Sequence, residues 1–186
     1  MSTDSQMRDK NNNSSRVDFR HPIESRAIKV SMVLPPDTNH YGTMFGGRLM
    51  SYIDDVATIS ATRHSRCAVV TASTDSVDFI RPVRLGNTVC LESFVTFAGR
   101  TSMEVFVKVT TEDLLTGKRE VSTTAFLTFV ALDETNRPTE VPKIVPQSRM
   151  EQQLYETAVA RVSHRLERRK EQTQLISSLG TGFPWE

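Results

Sequence analysis

Residues 43–64 read T-M-F-G-G-R-L-M-S-Y-I-D-D-V-A-T-I-S-A-T-R-H. At about 100° per residue, Leu49, Met50, Ile53, Val56, Ala57, Ile59, Ser60 and Ala61 cover a broad apolar arc. Ser51, Asp54, Asp55 and Thr58 fill the narrow remainder. A helix that is apolar around most of its circumference is buried. The spacing therefore predicts one long helix over 43–64, with Thr43 as its N-cap and a sheet wrapped around it.

The segments on either side supply that sheet. Upstream, Ile28-Lys29-Val30-Ser31-Met32-Val33-Leu34 begins with strand-like alternation and stops at Pro35-Pro36. Downstream, four strand-like runs follow with no second helix between them, over 67–79, 88–98, 102–112 and 119–132. In the second, Val89, Leu91, Val95 and Phe97 alternate with Cys90, Glu92, Phe94 and Thr96. In the third, Met103, Val105, Val107 and Val109 alternate with Glu104, Phe106, Lys108 and Thr110. Turn residues mark the joints at Arg84-Leu85-Gly86-Asn87, Gly99-Arg100 and Leu115-Thr116-Gly117-Lys118. One strand, one long helix and then an antiparallel series make an α+β layout with the helix on one face of the sheet. A doubly wound parallel fold needs helices between successive strands, and these runs leave no room for them.

The chain has 186 residues, enough for one ordinary domain with flanking segments. Residues 1–25, with Asn11-Asn12-Asn13-Ser14-Ser15 and few large apolar side chains, read as a disordered tail. The domain is expected over 26–137. Pro138, Pro142 and Pro146 mark an extended linker over 138–148. Residues 149–186 read as a C-terminal helix and tail. There Met150, Leu154, Ala158, Val162 and Leu166 recur every four residues as an apolar stripe. Arg161, Arg165, Arg168, Arg169 and Lys170 read as a solvated basic face, favourable near a helix C-terminus. The last residues, Phe183-Pro184-Trp185-Glu186, are expected to be loose or docked on another surface.

The 23 basic and 22 acidic residues give a net charge of +1, which removes the main electrostatic argument for a nucleic-acid or membrane-surface protein. No apolar run of spanning length occurs, and Met1–Ser15 lacks the apolar stretch of a secretory signal. Cys67 and Cys90, the two cysteines, sit in apolar strand-like segments and read as buried thiols of a cytoplasmic protein. They cannot build a metal cluster, and neither metal nor cofactor is expected.

Chemistry concentrates between Pro36 and Asp55, where the polar turn P-D-T-N-H-Y-G-T leads into a Gly-Gly helix start with carboxylates further along. A helix N-terminus presents unpaired N–H groups and a partial positive charge. Gly46 and Gly47 leave that backbone open to a carbonyl oxygen gaining negative charge. Asn39 adds a side-chain N–H donor. Asp54 and Asp55 lie about two to three turns beyond the glycines. A carboxylate at the edge of a buried face, partly shielded from water, is a stronger base. Helical geometry does not choose between the two, and both also fit an exposed polar face. His40 reads as a solvated loop residue and His64 as structural. No Gly-x-Ser-x-Gly elbow surrounds any serine, and no phosphate-cradling glycine loop ends in Lys-Ser or Lys-Thr.

The stretch from Pro36 to Asp54, with T-N near its start, F-G-G in its middle and M-S-Y-I-D at its end, resembles the hotdog-fold acyl-CoA thioesterases of the cytosolic acyl-CoA hydrolase family. Val77-Asp78-Phe79-Ile80-Arg81-Pro82-Val83, Gly99-Arg100-Thr101-Ser102 and Thr128-Phe129-Val130-Ala131-Leu132-Asp133 agree in order and spacing, so the resemblance spans about residues 26–145. It implies a single hotdog domain, hydrolysis of fatty acyl-CoA to CoA and free acid, and Asn39 and Asp54 as the catalytic pair. Asp54 would act as general base or as nucleophile, and the backbone at Gly46 and Gly47 would hold the oxyanion. Gly99, Arg100, Thr101 and Ser102, with Arg81 second, would meet the CoA phosphates. Met50, Ile53 and Ala57 are candidates to line an acyl slot, although core packing uses the same residue types. By the same resemblance the protein is a homo-oligomer, at least a dimer and expected as a hexamer built from three dimers, with Asn39 of one subunit facing Asp54 of the other. A non-catalytic acyl-CoA or nucleotide sensor on this fold is the alternative. A hotdog hydratase would need a His near Asp54, and the helix offers none there.

Overall fold

The computed structural model describes residues 19–182. A short strand, β1 (Phe19–Arg20), and a one-turn helix, α1 (Pro22–Ser25), lead into β2 (Ala27–Met32). A 3-10 turn at Pro35–Asp37 and an irregular loop precede the long helix α2 (Gly46–Ser65). Then come β3 (Ala68–Phe79), β4 (Thr88–Ala98), β5 (Ser102–Glu112), β6 (Arg119–Leu132), the two-residue β7 (Lys143–Ile144) and the 30-residue helix α3 (Arg149–Ser178).

Five strands form one antiparallel sheet in the order β2-β4-β5-β6-β3, leaving β2 and β3 as edges. Leu49, Ile53, Val56, Ala57 and Ala61 of α2 converge with Leu91, Val95, Val105, Val107, Leu127 and Phe129 of the sheet in a single buried core. This is the hotdog arrangement, a central helix wrapped by a mostly antiparallel sheet. The arc on α2 is narrower than its sequence implies, because Met50 and Ile59 are 44 % and 46 % exposed. Tyr52 and His64 lie inside instead. The Tyr52 ring is buried by cations, with Lys29 Nζ 4.2 Å and the Arg48 guanidinium 4.9 Å from its centre.

Thr43 is not the N-cap of α2. The cap is Phe45, which has extended backbone and makes no side-chain capping bond. The Thr43 hydroxyl is engaged by Asn39, and the Phe45 N–H donates to the Asp37 carbonyl at 2.8 Å. A register shift between Val95 and Phe97 also breaks the alternation expected in β4. The bulge turns Phe97 away from the core, onto Tyr155 of α3 at 5.7 Å between ring centres.

Both flanks are more ordered than their composition implies. Residues 19–25, expected as part of the tail, carry β1 and α1, and β1 pairs in parallel with β7. Ser25 is buried, donates to the Pro22 carbonyl and accepts from the Val95 N–H at 2.9 Å. The expected linker over 138–148 contains β7 and buries Val141 and Ile144. Its Pro142 carbonyl meets Nε2 of the fully buried His64 at 2.7 Å. The remainder of the expected tail, 1–18, and the last residues, 183–186, lie outside the described residues.

Three of the five basic residues expected as a solvated face of α3, Arg161, Arg165 and Arg168, dock on the sheet instead, while Arg169 and Lys170 are exposed. A capping box starts the helix: Ser148 Oγ accepts from the Glu151 N–H, and the Glu151 carboxylate accepts from the Ser148 N–H. The helix then crosses the sheet face opposite α2. Arg161 grips Glu104 of β5 at 2.8 and 3.0 Å and covers the Phe126 ring of β6 at 4.0 Å. Arg165 and Arg168 reach Asp75 of β3 at 3.0 and 2.7 Å. Glu104 is 1 % exposed, and Arg161 and the Thr96 hydroxyl supply the hydrogen bonds its buried carboxylate needs.

Candidate active site

The loop before α2 is organised by two side chains. The Asp37 carboxylate accepts from the Leu34 N–H and from Arg48 Nε at 3.0 Å. That bond raises the Arg48 guanidinium further above its ordinary value. Asn39 folds the tip, its Oδ1 accepting from the N–H groups of Tyr41 at 2.9 Å and Thr43 at 3.3 Å. Its Nδ2 donates to the Thr43 hydroxyl at 3.1 Å, which leaves one amide hydrogen unclaimed among the described residues. Gly42, at φ +71°, makes the reversal possible. The Met44 N–H donates to the Val83 carbonyl and fastens the loop to the segment after β3.

At the start of α2 the N–H groups of Gly46 and Gly47 have no acceptor among the described residues, as the first turn of a helix dictates. A Cβ at residue 47 would stand 2.6 Å from the Phe45 ring, so glycine lets that ring fold over the helix start. A Cβ at residue 46 would meet only the Phe79 ring, at 3.6 Å. Beside this start lies a cleft of about 150 Å³ lined by Thr43, Met44, Leu49, Phe79, Ile80, Arg81, Pro82 and Val83.

The two carboxylates, equivalent in the helical pattern, differ in three dimensions. Asp55 is exposed and held by Lys29 of β2 at 2.6 Å. Asp54 is half-buried on the β3 side, where the Thr71 hydroxyl donates to its Oδ1 at 2.9 Å. That bond is the only one its carboxylate makes among the described residues. Thr71 escaped the sequence reading, since a threonine in a strand carries no signal until register places it opposite the helix.

Other expected residues fall into two groups. Arg81 lines the cleft, while its Nη1 donates to the Val121 carbonyl at 2.9 Å. Ile53 and Ala57 belong to the core, and only Met50 of the acyl-slot candidates is exposed. Gly99, Arg100, Thr101 and Ser102 form the β4–β5 turn, closed by Gly99 N–H to Ser102 O at 2.8 Å. Lys143 Nζ and the Val141 N–H bind that turn through the carbonyls of Gly99 and Arg100. The exposed Arg100 guanidinium has no protein partner among the described residues.

In one chain this turn lies far from the glycines. Ser102 aligns with Val130, which aligns with Val70 near the start of β3, whereas Gly46 adjoins Phe79 at the end of β3. Asn39 and Asp54 likewise share no hydrogen bond within a chain. Among the described residues no group of three or more His, Cys, Asp or Glu side chains converges. No helix there is long and apolar enough to cross a membrane.

Residues 41–118 match the thioesterase superfamily. The acyl-CoA thioester hydrolase YkhA of Bacillus subtilis, itself uncharacterised, is 54 % identical over 162 residues, which is 87 % of this chain and 94 % of that protein. An acyl-CoA hydrolase of Staphylococcus aureus, solved with butyryl coenzyme A, coenzyme A and coenzyme A disulfide, superposes with a TM-score of 0.83 at 43 % identity. The match covers 86 % of this chain and 97 % of that one. Variants of the Staphylococcus enzyme with one Asn, one Asp or one Thr changed to Ala have also been solved. An apo-hexameric acyl-CoA thioesterase matches with a TM-score of 0.80 at 50 % identity, over 82 % of this chain and 97 % of that one. A central helix in an antiparallel wrap, free N–H groups where it starts and relatives of this similarity along nearly their whole length lead to one statement: this chain belongs to the acyl-CoA thioester hydrolases of the thioesterase superfamily.

Proposed function

We propose that this protein hydrolyses fatty acyl-CoA to free fatty acid and CoA in sites shared between two protomers paired along β3. The observation that carries the reading is the divergence of the two carboxylates. Asp55 is neutralised by a lysine on one side of α2. Asp54 is aimed by Thr71 toward the free sheet edge, about 12 Å along the helix from two unclaimed N–H groups. Pairing also answers the distance between the helix start and the Gly99–Ser102 turn. Antiparallel pairing along β3 lays the far end of one protomer beside the near end of its partner, and so brings Asn39 of one toward Asp54 of the other.

In this mechanism Asp54 takes a proton from water as the water oxygen bonds to the thioester carbonyl carbon. The carbonyl oxygen becomes an oxyanion held by the N–H groups of Gly46 and Gly47 of the protomer that supplies Asn39. Asn39 orients the water or the carbonyl. Collapse of the tetrahedral species breaks the C–S bond, and the proton on Asp54 passes to the departing CoA sulfur. Direct attack by Asp54 through an acyl-enzyme is the variant of this scheme. Arg100, with Thr101, Ser102, the Gly99 backbone and Arg81, meets the CoA phosphates. No step calls on a metal or other cofactor.

The residue types changed in the Staphylococcus variants support the assignment, since that Asn, Asp and Thr follow one another at the same intervals as Asn39, Asp54 and Thr71. The hexameric relative supports assembly as three dimers. Two part-buried free thiols suit a cytoplasmic protein. Thiol release from palmitoyl-CoA tests the reading. Asp54→Asn is expected to lower kcat by roughly 10²–10⁴-fold, and an Asp54→Asn protein as fast as the parent overturns it.

A further inference from the structure

The helix α3 is longer than the sheet it covers. From Tyr155 over β4 to Arg165 over β3 it advances about 15 Å, which matches three strand spacings of about 4.8 Å. Beyond Arg168, its last hydrogen bond to β3, the helix runs on to Ser178 for about another 15 Å. β3 is an edge, so no strand among the described residues lies beneath the end of that stretch.

The face that points down is apolar. Tyr155, Ala158, Arg161, Arg165 and Arg168 recur at intervals of three and four and mark the docked side. The same stepping continues through Gln172, Leu175, Ile176 and Leu179. Leu175, Ile176 and Leu179 are 57 %, 66 % and 53 % exposed. Three adjacent large apolar side chains held over open space by a helix anchored through buried ion pairs form a surface awaiting a cover.

We propose that this overhang is a clamp for a second copy of the chain, laid by each protomer across the outer sheet face of its partner. The occupant follows from the geometry. A straight helix that lies flat on its own sheet can only land beyond the edge on a surface level with that sheet. The free backbone of β3 is built to extend the sheet by another strand. A groove of about 430 Å³, lined by Ala72, Ser73, Thr74, Arg168, Arg169 and Gln172, opens where edge and overhang meet. The two-fold symmetry of such a pair makes the embrace reciprocal. Val70, half-exposed and alternating with the core-packed Val69, supplies apolar outer-face surface on β3 for the incoming helix. The inference rests on the side-by-side pairing proposed above, and it assigns to α3 the task of holding the seam along which the catalytic halves meet.

Sedimentation velocity over a range of protein concentrations tests the clamp with three chains: the parent, one ending at Arg169, and the full chain carrying Leu175→Glu and Ile176→Glu. The changes fall beyond the anchoring arginines or on exposed positions, so far-UV circular dichroism is expected to retain the sheet and core. The parent is expected to sediment as a dimer or a multiple of dimers. Both variants are expected to dissociate at concentrations at least tenfold higher than the parent does, with thiol release from palmitoyl-CoA falling in step with dissociation. Variants that assemble as tightly as the parent overturn the clamp and leave the pairing standing, whereas a monomeric parent overturns both. Co-sedimentation of the parent with anionic phospholipid vesicles, lost in the variants while assembly is unchanged, assigns the overhang to a lipid surface and overturns the clamp.

Discussion

A helix turns about 100° per residue, so the carboxyls of Asp54 and Asp55 leave α2 toward different neighbours. One meets a threonine hydroxyl on β3 and the other a lysine on β2. The Lys29–Asp55 pair is open to water, and such pairs contribute about 0–1 kcal/mol. Asp55→Asn is therefore expected to leave both stability and thiol release close to the parent values. Thr71 differs, because its hydroxyl fixes one lone pair of Asp54 and so the direction of the other. Hydrogen bonds to charged groups contribute about 1.5–3 kcal/mol. Thr71→Ala is accordingly expected to lower kcat by roughly 10–100-fold, with KM nearly unchanged and Thr71→Ser restoring most of the loss. A KM effect alone, or no rescue by serine, would show that Thr71 serves packing. At this scale the sequence discloses that a carboxylate two turns from a Gly-Gly start is available. It cannot say which, because the choice depends on what β2 and β3 bring from elsewhere in the chain.

At the scale of elements, α3 shows how a pattern can be read correctly for structure and wrongly for environment. Its apolar recurrence marks the helix, yet Arg161, Arg165 and Arg168, which look solvated, are the anchors. They face Glu104 and Asp75, strand residues whose pairing with a helix some 60–90 positions away no local pattern reveals. Arg161→Leu leaves Glu104 buried without its fork and is expected to cost about 3–5 kcal/mol, read as a lower urea midpoint. Adding Glu104→Leu to Arg161→Leu is expected to recover much of that loss, since the pair has to offset its own desolvation. At Asp75, burial pushes the carboxyl upward, but hydrogen bonds from Thr128 and Ser73 and the charge of Arg165 outweigh it and hold the group below its ordinary value. Its contribution is present above pH 3.8 and fades as pH falls below that. The Asp75 anchor of α3 is thus indifferent to pH near neutrality. β4 teaches a related lesson: the alternation holds up to Val95, and the bulge that redirects Phe97 exists only because β5 pairs there with one residue fewer.

For the whole molecule, the hairpins β4–β5–β6 are legible because short turn-bearing joints connect antiparallel runs. The positions of β2 and β3 at opposite edges depend on long-range pairing and are not. A site divided between two ends of a chain is also invisible to motif spacing, which lists Asn39, Gly46, Asp54 and Arg100 in order without saying that the last lies at the far end of the sheet. Global stability carries a second pH response, centred on His64. Burial pushes its imidazole below the ordinary value, against the pull of the Pro142 carbonyl, and Nδ1 has no partner among the described residues. The folded protein thus keeps the ring neutral, while the unfolded chain takes up a proton near pH 6.5. Stability is expected to be full above that pH and to fall below it, by at most about 1.4 kcal/mol per pH unit. Urea unfolding from pH 8 to 5 should show this slope in the parent and not in His64→Gln. Parallel slopes would remove His64 as its origin.

The parallel pair β1–β7 has a practical consequence. It buckles residues 19–20 to 143–144 across the end of α2, like a hoop closed around a barrel. A fragment trimmed to 26–137 would discard both halves of the buckle. It would lose the Ser25 hydroxyl that receives the Val95 amide and the Pro142 carbonyl that meets His64, and so open to water two sites that are buried in the intact protein. Any transplant of this domain into another polypeptide is therefore expected to need both flanks, residues 19–25 and 141–145, carried together.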